Sequence, residues 1–95
     1  MDVTTYLKVI GSNIRRLRGS MKQQELAEKA GVSRSTLSSI ENGKSIELDN
    51  LLKIAKALGI DPANLFLSED DRQEVSHKLK LLLEGAFKAI YPSKK

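Results

Sequence analysis

The stretch that most constrains this chain runs from Gln23 to Lys44, QQELAEKAGVSRSTLSSIENGK, where two short helix-forming runs meet around a single glycine. Leu26, Ala27 and Ala30 share one helical face, so the first run predicts a helix over Gln23–Ala30. Gly31 can take positive φ without a Cβ clash. Ser33 can accept a free N–H of the next helix's first turn. That second helix is predicted over Arg34–Asn42, with Gly43 stopping it. Its strongly apolar positions are Leu37 and Ile40 alone; the rest are Arg34, Ser35, Thr36, Ser38, Ser39 and Glu41. So narrow a stripe buries one side of the helix and leaves the other open. The two helices must also cross closely, with the small side chain of Ala27 at the crossing and Val32 and Leu37 filling the angle.

The flanking segments read as helices too. Leu7, Ile10, Ile14 and Leu17 mark a helix over Thr5–Arg18, which Gly19 can end with a left-handed residue. Leu48, Leu51, Leu52, Ile54, Ala55 and Leu58 mark another over Leu48–Leu58, stopped by Gly59. Asp61-Pro62 opens a short fifth helix ending near Leu67, since proline suits the first helical position. Glu69-Asp70-Asp71 places acids where a helix N-terminus favours them, and a sixth helix is predicted from there to Tyr91, before Pro92. No strand-like alternation interrupts this order. The expected fold is all-α: a five-helix domain over 1–67 and an added C-terminal helix within 68–95.

Composition narrows the chemistry. Among 95 residues there is no cysteine, which removes disulfides and thiolate sites. No apolar run approaches the roughly 18 residues of a membrane helix, and the start MDVTTYLKV lacks a signal peptide's order. A cytoplasmic protein is expected. The lone His77 reads as a solvated residue of the sixth helix and the acids 69–71 as helix-terminus charges. Neither forms a metal site, and no glycine-rich phosphate loop is present. Neither an enzyme nor a cofactor is expected. The net charge of +4 sits wholly in residues 1–44, which carry eight Lys/Arg and four acids, whereas 45–95 carry eight of each. That asymmetry suits a polyanionic partner, or a solvated basic face.

A short helix, a glycine-containing turn and a second helix with a polar outer face make the helix-turn-helix plan. Short polar side chains on such a helix fit a DNA major groove about 12 Å wide. Over Ile10–Leu67 the sequence resembles the Cro/lambdoid-repressor (XRE-like) family of transcriptional regulators. The resemblance is carried by QxELAxKAGVS at 23–33, IENGK at 40–44, LLKIAKALGI at 51–60 and the DPANLF that follows. The chain departs from the family in a shorter connection, Gly19-Ser20-Met21-Lys22. It has Lys22 in place of the usual Ser, Thr or Asn cap, and no proline in Lys44–Glu47.

The resemblance implies double-stranded DNA as partner and assigns roles. Arg34, Ser35, Thr36 and Ser39 would face base edges. Arg34 either takes guanine O6 and N7 bidentately or binds a phosphate. Gln23, Lys22, Ser38, Asn42 and Lys44 would contact phosphates, with Gln23 alternatively bracing the recognition helix. Arg15 and Arg16, near the second helix on the basic half, are either further phosphate contacts or merely solvated. Arg18 and Glu41 match the family's buried ion pair between the first helix and the end of the third.

The sixth helix is the least family-like part. Val75, Leu79, Leu82, Leu83, Ala86, Phe87 and Ile90 form a wide apolar stripe. It folds back on the domain, or pairs with a second chain, or does both, with some stripe residues inward and others across a two-fold axis. In the second case a homodimer would place two recognition helices about 34 Å apart on an inverted-repeat operator. A repressor is the leading expectation. An antitoxin or a restriction–modification controller would have the same fold, with a protein partner in the first case. A protein-interaction module that has lost DNA binding is the reading from outside this class.

Overall fold

The computed structural model describes residues 2–68, 77–78 and 81–85. Four α-helices, α1 (Val3–Arg18), α2 (Gln23–Ala30), α3 (Arg34–Glu41) and α4 (Leu48–Leu58), are followed by a 3-10 turn, Pro62–Phe66. No strand occurs among the described residues. The fifth helix expected from Asp61-Pro62 is therefore a 3-10 turn, started by the Asp61 carboxylate, which accepts the Ala63 N–H at 2.9 Å.

The helix ends follow from side-chain chemistry. Asp2 accepts the Thr5 N–H at 2.8 Å and so starts α1 two residues ahead of the sequence expectation. The same bond holds the Asp2 carboxyl below its ordinary value. Gly19 ends α1 with φ 57° and ψ −126°, outside the left-handed helical well expected there. Gly31 does take that conformation, with φ 75° and ψ 34°, and its N–H reaches the Ala27 and Glu28 carbonyls. The chain can thus leave α2 and enter α3 within three residues. Ser33 accepts the Thr36 N–H at 3.0 Å. The helix α3 ends at Glu41, one residue early, with Asn42 as its C-cap. No side chain caps α2, whose preceding residue is Lys22.

The core draws on every element: Ile10 and Ile14 from α1, Leu26, Ala27 and Ala30 from α2, Leu37 and Ile40 from α3, Leu51, Ile54 and Ala55 from α4, and Leu65 from the 3-10 turn. α1 packs on α3 and the 3-10 turn, while α2 packs on α3 and α4. Two residues of α1 set those contacts. A Cβ at Gly11 would run into the Ile40 carbonyl oxygen and stand 2.8 Å from that of Glu41, so α1 and α3 approach backbone to backbone. Asn13, buried on the same helix, donates through Nδ2 to the Leu65 carbonyl at 2.9 Å and the Leu67 carbonyl at 2.8 Å. It ties the 3-10 turn to α1.

Only part of the α4 apolar stripe faces this core. Leu48 and Leu52 are exposed, as are Val3, Tyr6 and Phe66. The Tyr6 and Phe66 rings meet edge to face, centroids 6.4 Å apart. Of the predicted sixth helix, 77–78 and 81–85 are helical, with Leu82 and Leu83 exposed. Val75, Leu79, Ala86, Phe87 and Ile90 lie outside the described residues. Among the described residues no helix is long and apolar enough to cross a membrane.

Candidate nucleic-acid interface

Helix α3 is held from beneath by Leu37 and Ile40, 0% and 2% exposed. Arg34, Ser35 and Ser39 are exposed, with Thr36 and Ser38 half-buried beside them; at 100° per residue Ser35 and Ser39 lie opposite the buried pair, and Arg34 stands to one side in the first turn. The Thr36 hydroxyl is already engaged, accepting from Ser33 Oγ at 2.7 Å. It therefore serves the helix cap as well as the outer face. One flank of this row continues onto α2, where Gln23 joins Arg34, Ser35 and Ser38 around a shallow depression. The other flank continues onto Ser45, Glu47 and Asn50 beside Ser35, Thr36 and Ser39. That second flank had no signal in the sequence. It arises because the chain folds back after α3, with the Gly43 N–H on the Ile40 carbonyl and the Lys44 N–H on the Ser39 carbonyl, both at 3.0 Å.

Side chains from α1 and α2 converge on Glu41 of α3, whose side chain has no exposed surface. Arg18 from the end of α1 grips it at both oxygens, Nε to Oε2 and Nη2 to Oε1, each at 2.8 Å. Arg18 Nη1 also donates to the Met21 carbonyl at 2.7 Å, fixing the connection to α2. Gln23, the first residue of α2, donates Nε2 to Glu41 Oε1 at 3.1 Å. Arg15 approaches with Nε 3.6 Å from Oε1, and its Nη2 donates to the Asn42 side-chain oxygen at 3.2 Å and, at 3.4 Å, to the Glu41 carbonyl. Burial opposes ionisation of Glu41. The Arg18 and Gln23 hydrogen bonds and the charges of Arg18 and Arg15 outweigh it, and the carboxyl titrates below its ordinary value. The Glu41 hydrogen bonds in turn raise the Arg18 value.

The predicted residues thus fall into two groups. Arg34, Ser35 and Ser39 form the exposed row, with Thr36 and Ser38 at its margin and Lys22, Asn42 and Lys44 exposed around it. Arg18 and Glu41 lie beneath. Gln23 joins the second group through Glu41 while still lining the depression beside Arg34. Arg15, read from sequence as a phosphate candidate or solvated residue, spends hydrogen bonds on the end of α3; Arg16 is exposed. Chemically, the surface offers one guanidinium, several hydroxyls and flanking ammonium groups on a rigid mount.

The comparisons agree with this geometry. The helix-turn-helix family profile matches residues 14–65. The control protein C.BamHI of Bacillus amyloliquefaciens is 38% identical over 61 residues, which is 60% of this chain and 75% of that protein. The restriction-modification controller protein C.AhdI of Aeromonas hydrophila superposes with a TM-score of 0.60 at 38% identity, covering 63% of this chain and 96% of that one. The hypothetical transcription factor NHTF from Neisseria gives a TM-score of 0.70 at 31% identity, over 79% and 88% of the respective chains. With the turn at Gly31, the exposed row on α3 and these matches in hand, the chain belongs to the XRE-type helix-turn-helix family of DNA-binding transcriptional regulators.

Proposed function

We propose that the chain binds an inverted-repeat operator as a homodimer and acts there as a repressor, with residues 1–67 reading DNA and 68–95 joining the protomers. The observation that carries this reading is the exposed row Arg34, Ser35 and Ser39 above the buried pair Leu37 and Ile40. It presents a planar bidentate donor and short hydroxyls, the groups that read base edges in a major groove. Arg34 reads a base, Ser35, Thr36 and Ser39 line the same groove, and Gln23, Lys22, Ser38, Asn42 and Lys44 hold phosphates that fix the register. Function is by binding, without a cofactor. Selection of bound sequences from random DNA should return an inverted repeat with half-sites one helical turn apart. Arg34→Ala should then weaken binding to that operator by roughly 5- to 150-fold per half-site, the equivalent of ~1–3 kcal/mol for each protomer's contact, with helicity unchanged. Equal affinity of the variant, or selection of unrelated sequences, would sink the reading.

A second reading is favoured by the likeness to C.BamHI and C.AhdI at 38% identity each: control of a restriction–modification system. Under it, the selected operator lies upstream of a nuclease–methylase pair, and a reporter driven by that promoter responds to the protein's concentration.

A further inference from the structure

We propose that Glu47 is a specificity-determining residue of the DNA interface, whose carboxylate accepts a hydrogen bond from the exocyclic amino group of a cytosine in the major groove. The proposal rests on the DNA-reading role of the α3 row given above and adds a base contact from outside that helix.

The row has two unlike sides, and Ser35 belongs to both of the depressions that flank it. On one side stand Gln23, Arg34 and Ser38. On the other, a depression of about 300 Å³ is lined by Ser35, Thr36, Ser39, Ser45, Glu47 and Asn50, with Ile40 as its one apolar residue. No lysine or arginine lines this second depression. A phosphate placed there would meet a carboxylate and no cation, so the depression is a poor seat for the DNA backbone. A base edge suits it better. Cytosine presents its N4 amino group as a donor in the major groove, and a glutamate is the acceptor that matches it. The neighbouring serine hydroxyls can donate or accept as the adjoining base edge requires.

Two structural duties could otherwise explain an acid at this position, and Glu47 performs neither. It occupies the N-cap position of α4, yet its side chain makes no capping hydrogen bond. The acid in the first turn, where negative charge complements the positive helix end, is Asp49. Asp49 accepts the Asn50 N–H at 2.8 Å and stands 3.9 Å from Lys53 Nζ. Glu47 is exposed, and among the described residues its side chain has neither a hydrogen bond nor an ion pair. Its backbone is nevertheless held, because the Glu47 carbonyl accepts the Leu51 N–H at 3.0 Å. An unpaired carboxylate on a fixed backbone, beside a row of hydroxyls, is an acceptor positioned for an incoming donor.

The test selects sequences from random DNA with the full-length natural chain, Glu47→Ala and Glu47→Gln. The natural chain should return cytosine at one position of each half-site. Glu47→Ala should accept all four bases at that position and retain every other preference. Glu47→Gln, which gains an amide donor, should turn the same position toward adenine. Replacing that C·G pair in the operator should weaken binding of the natural chain by roughly 5- to 150-fold per half-site, and of Glu47→Ala hardly at all. The ratio between the two duplexes cancels any general change in phosphate attraction. An unaltered selected sequence with either variant overturns the proposal. So does tighter binding of Glu47→Ala to operator and random DNA alike with the sequence retained, which would make the carboxylate a brake on phosphate binding. If Arg34→Ala alters the selection and Glu47→Ala does not, the DNA-reading role of the row stands and only the Glu47 contact fails. If the natural chain selects no sequence at all, both fall.

Discussion

A carboxylate with no exposed side-chain surface costs several kcal/mol to desolvate unless it is fully partnered. Glu41 is partnered on both oxygens, by Arg18 and Gln23, with Arg15 close by. Its lowered pKa makes the fold pH-sensitive with a definite sign. Stability from this group is present above the ordinary glutamate value, about 4.3, and is lost as pH falls through the depressed folded value. Urea midpoints should therefore hold from pH 8 to 5 and drop below about pH 4. Arg18→Met should cost about 3–5 kcal/mol at pH 7 and flatten the acid drop, because Glu41 then no longer favours its charged form. A variant as stable as the natural chain at pH 7 would show that the pair is not a brace. Gly11 is the other decisive residue. An exposed helical Gly→Ala change stabilises by about 1 kcal/mol. Here the added methyl meets the Ile40 and Glu41 carbonyl oxygens, so Gly11→Ala should reverse the sign and cost about 1–3 kcal/mol, read from urea unfolding.

At the scale of elements, α2 and α4 were legible to the residue, Gln23–Ala30 and Leu48–Leu58. Each is an apolar stripe closed by a glycine that takes the left-handed conformation, at 31 and 59. The start of α1 was misjudged because Asp2 caps it from a position with no apolar pattern of its own. The inward and outward halves of the α4 stripe cannot be separated by periodicity. Leu48 and Leu51 sit one turn apart, yet one is exposed and the other buried, a distinction made by how α4 lies on α2 and the 3-10 turn. The α1 contacts were also invisible as pattern. Gly11 reads as a weak helix former and Asn13 as a polar break in the stripe Ile10–Ile14–Leu17. Both are signals of a close approach or a buried hydrogen bond, not of an exposed face. Of the candidate site, the row on α3 followed from a single helix's periodicity. Its flank at Ser45, Glu47 and Asn50 needed the chain reversal after α3. Asn13→Ala leaves the Leu65 and Leu67 carbonyls without that donor and should cost about 1–3 kcal/mol. Hydrogen exchange should accelerate at residues 62–67 while α2 and α3 stay protected; equal protection at 62–67 would mean that Leu65 alone holds the turn.

Across the whole molecule, the net positive charge that the sequence confines to residues 1–44 is distributed by the fold among different surroundings. Arg15 and Arg18 are spent on Glu41 and Asn42. Lys22, Arg34 and Lys44 stand exposed around the α3 row. Lys29 belongs elsewhere, with Lys53 and Lys56 around Ala30 and Gly31. DNA affinity should therefore depend on far fewer cations than the sequence total implies. Counting two to four phosphate contacts per protomer, a dimer displaces four to eight counterions, and log affinity should fall against log salt with a slope of about −4 to −7. Lys44→Ala should weaken operator and random DNA alike and reduce the slope by about 2 in a dimer, one counterion from each protomer. Arg15→Ala, whose guanidinium is held at the end of α3, should leave the slope nearly unchanged while lowering stability. A slope near zero would mean that the exposed row meets a partner other than nucleic acid. A slope that fell equally for Arg15→Ala and Lys44→Ala would mean that Arg15 leaves Asn42 for a phosphate when DNA binds.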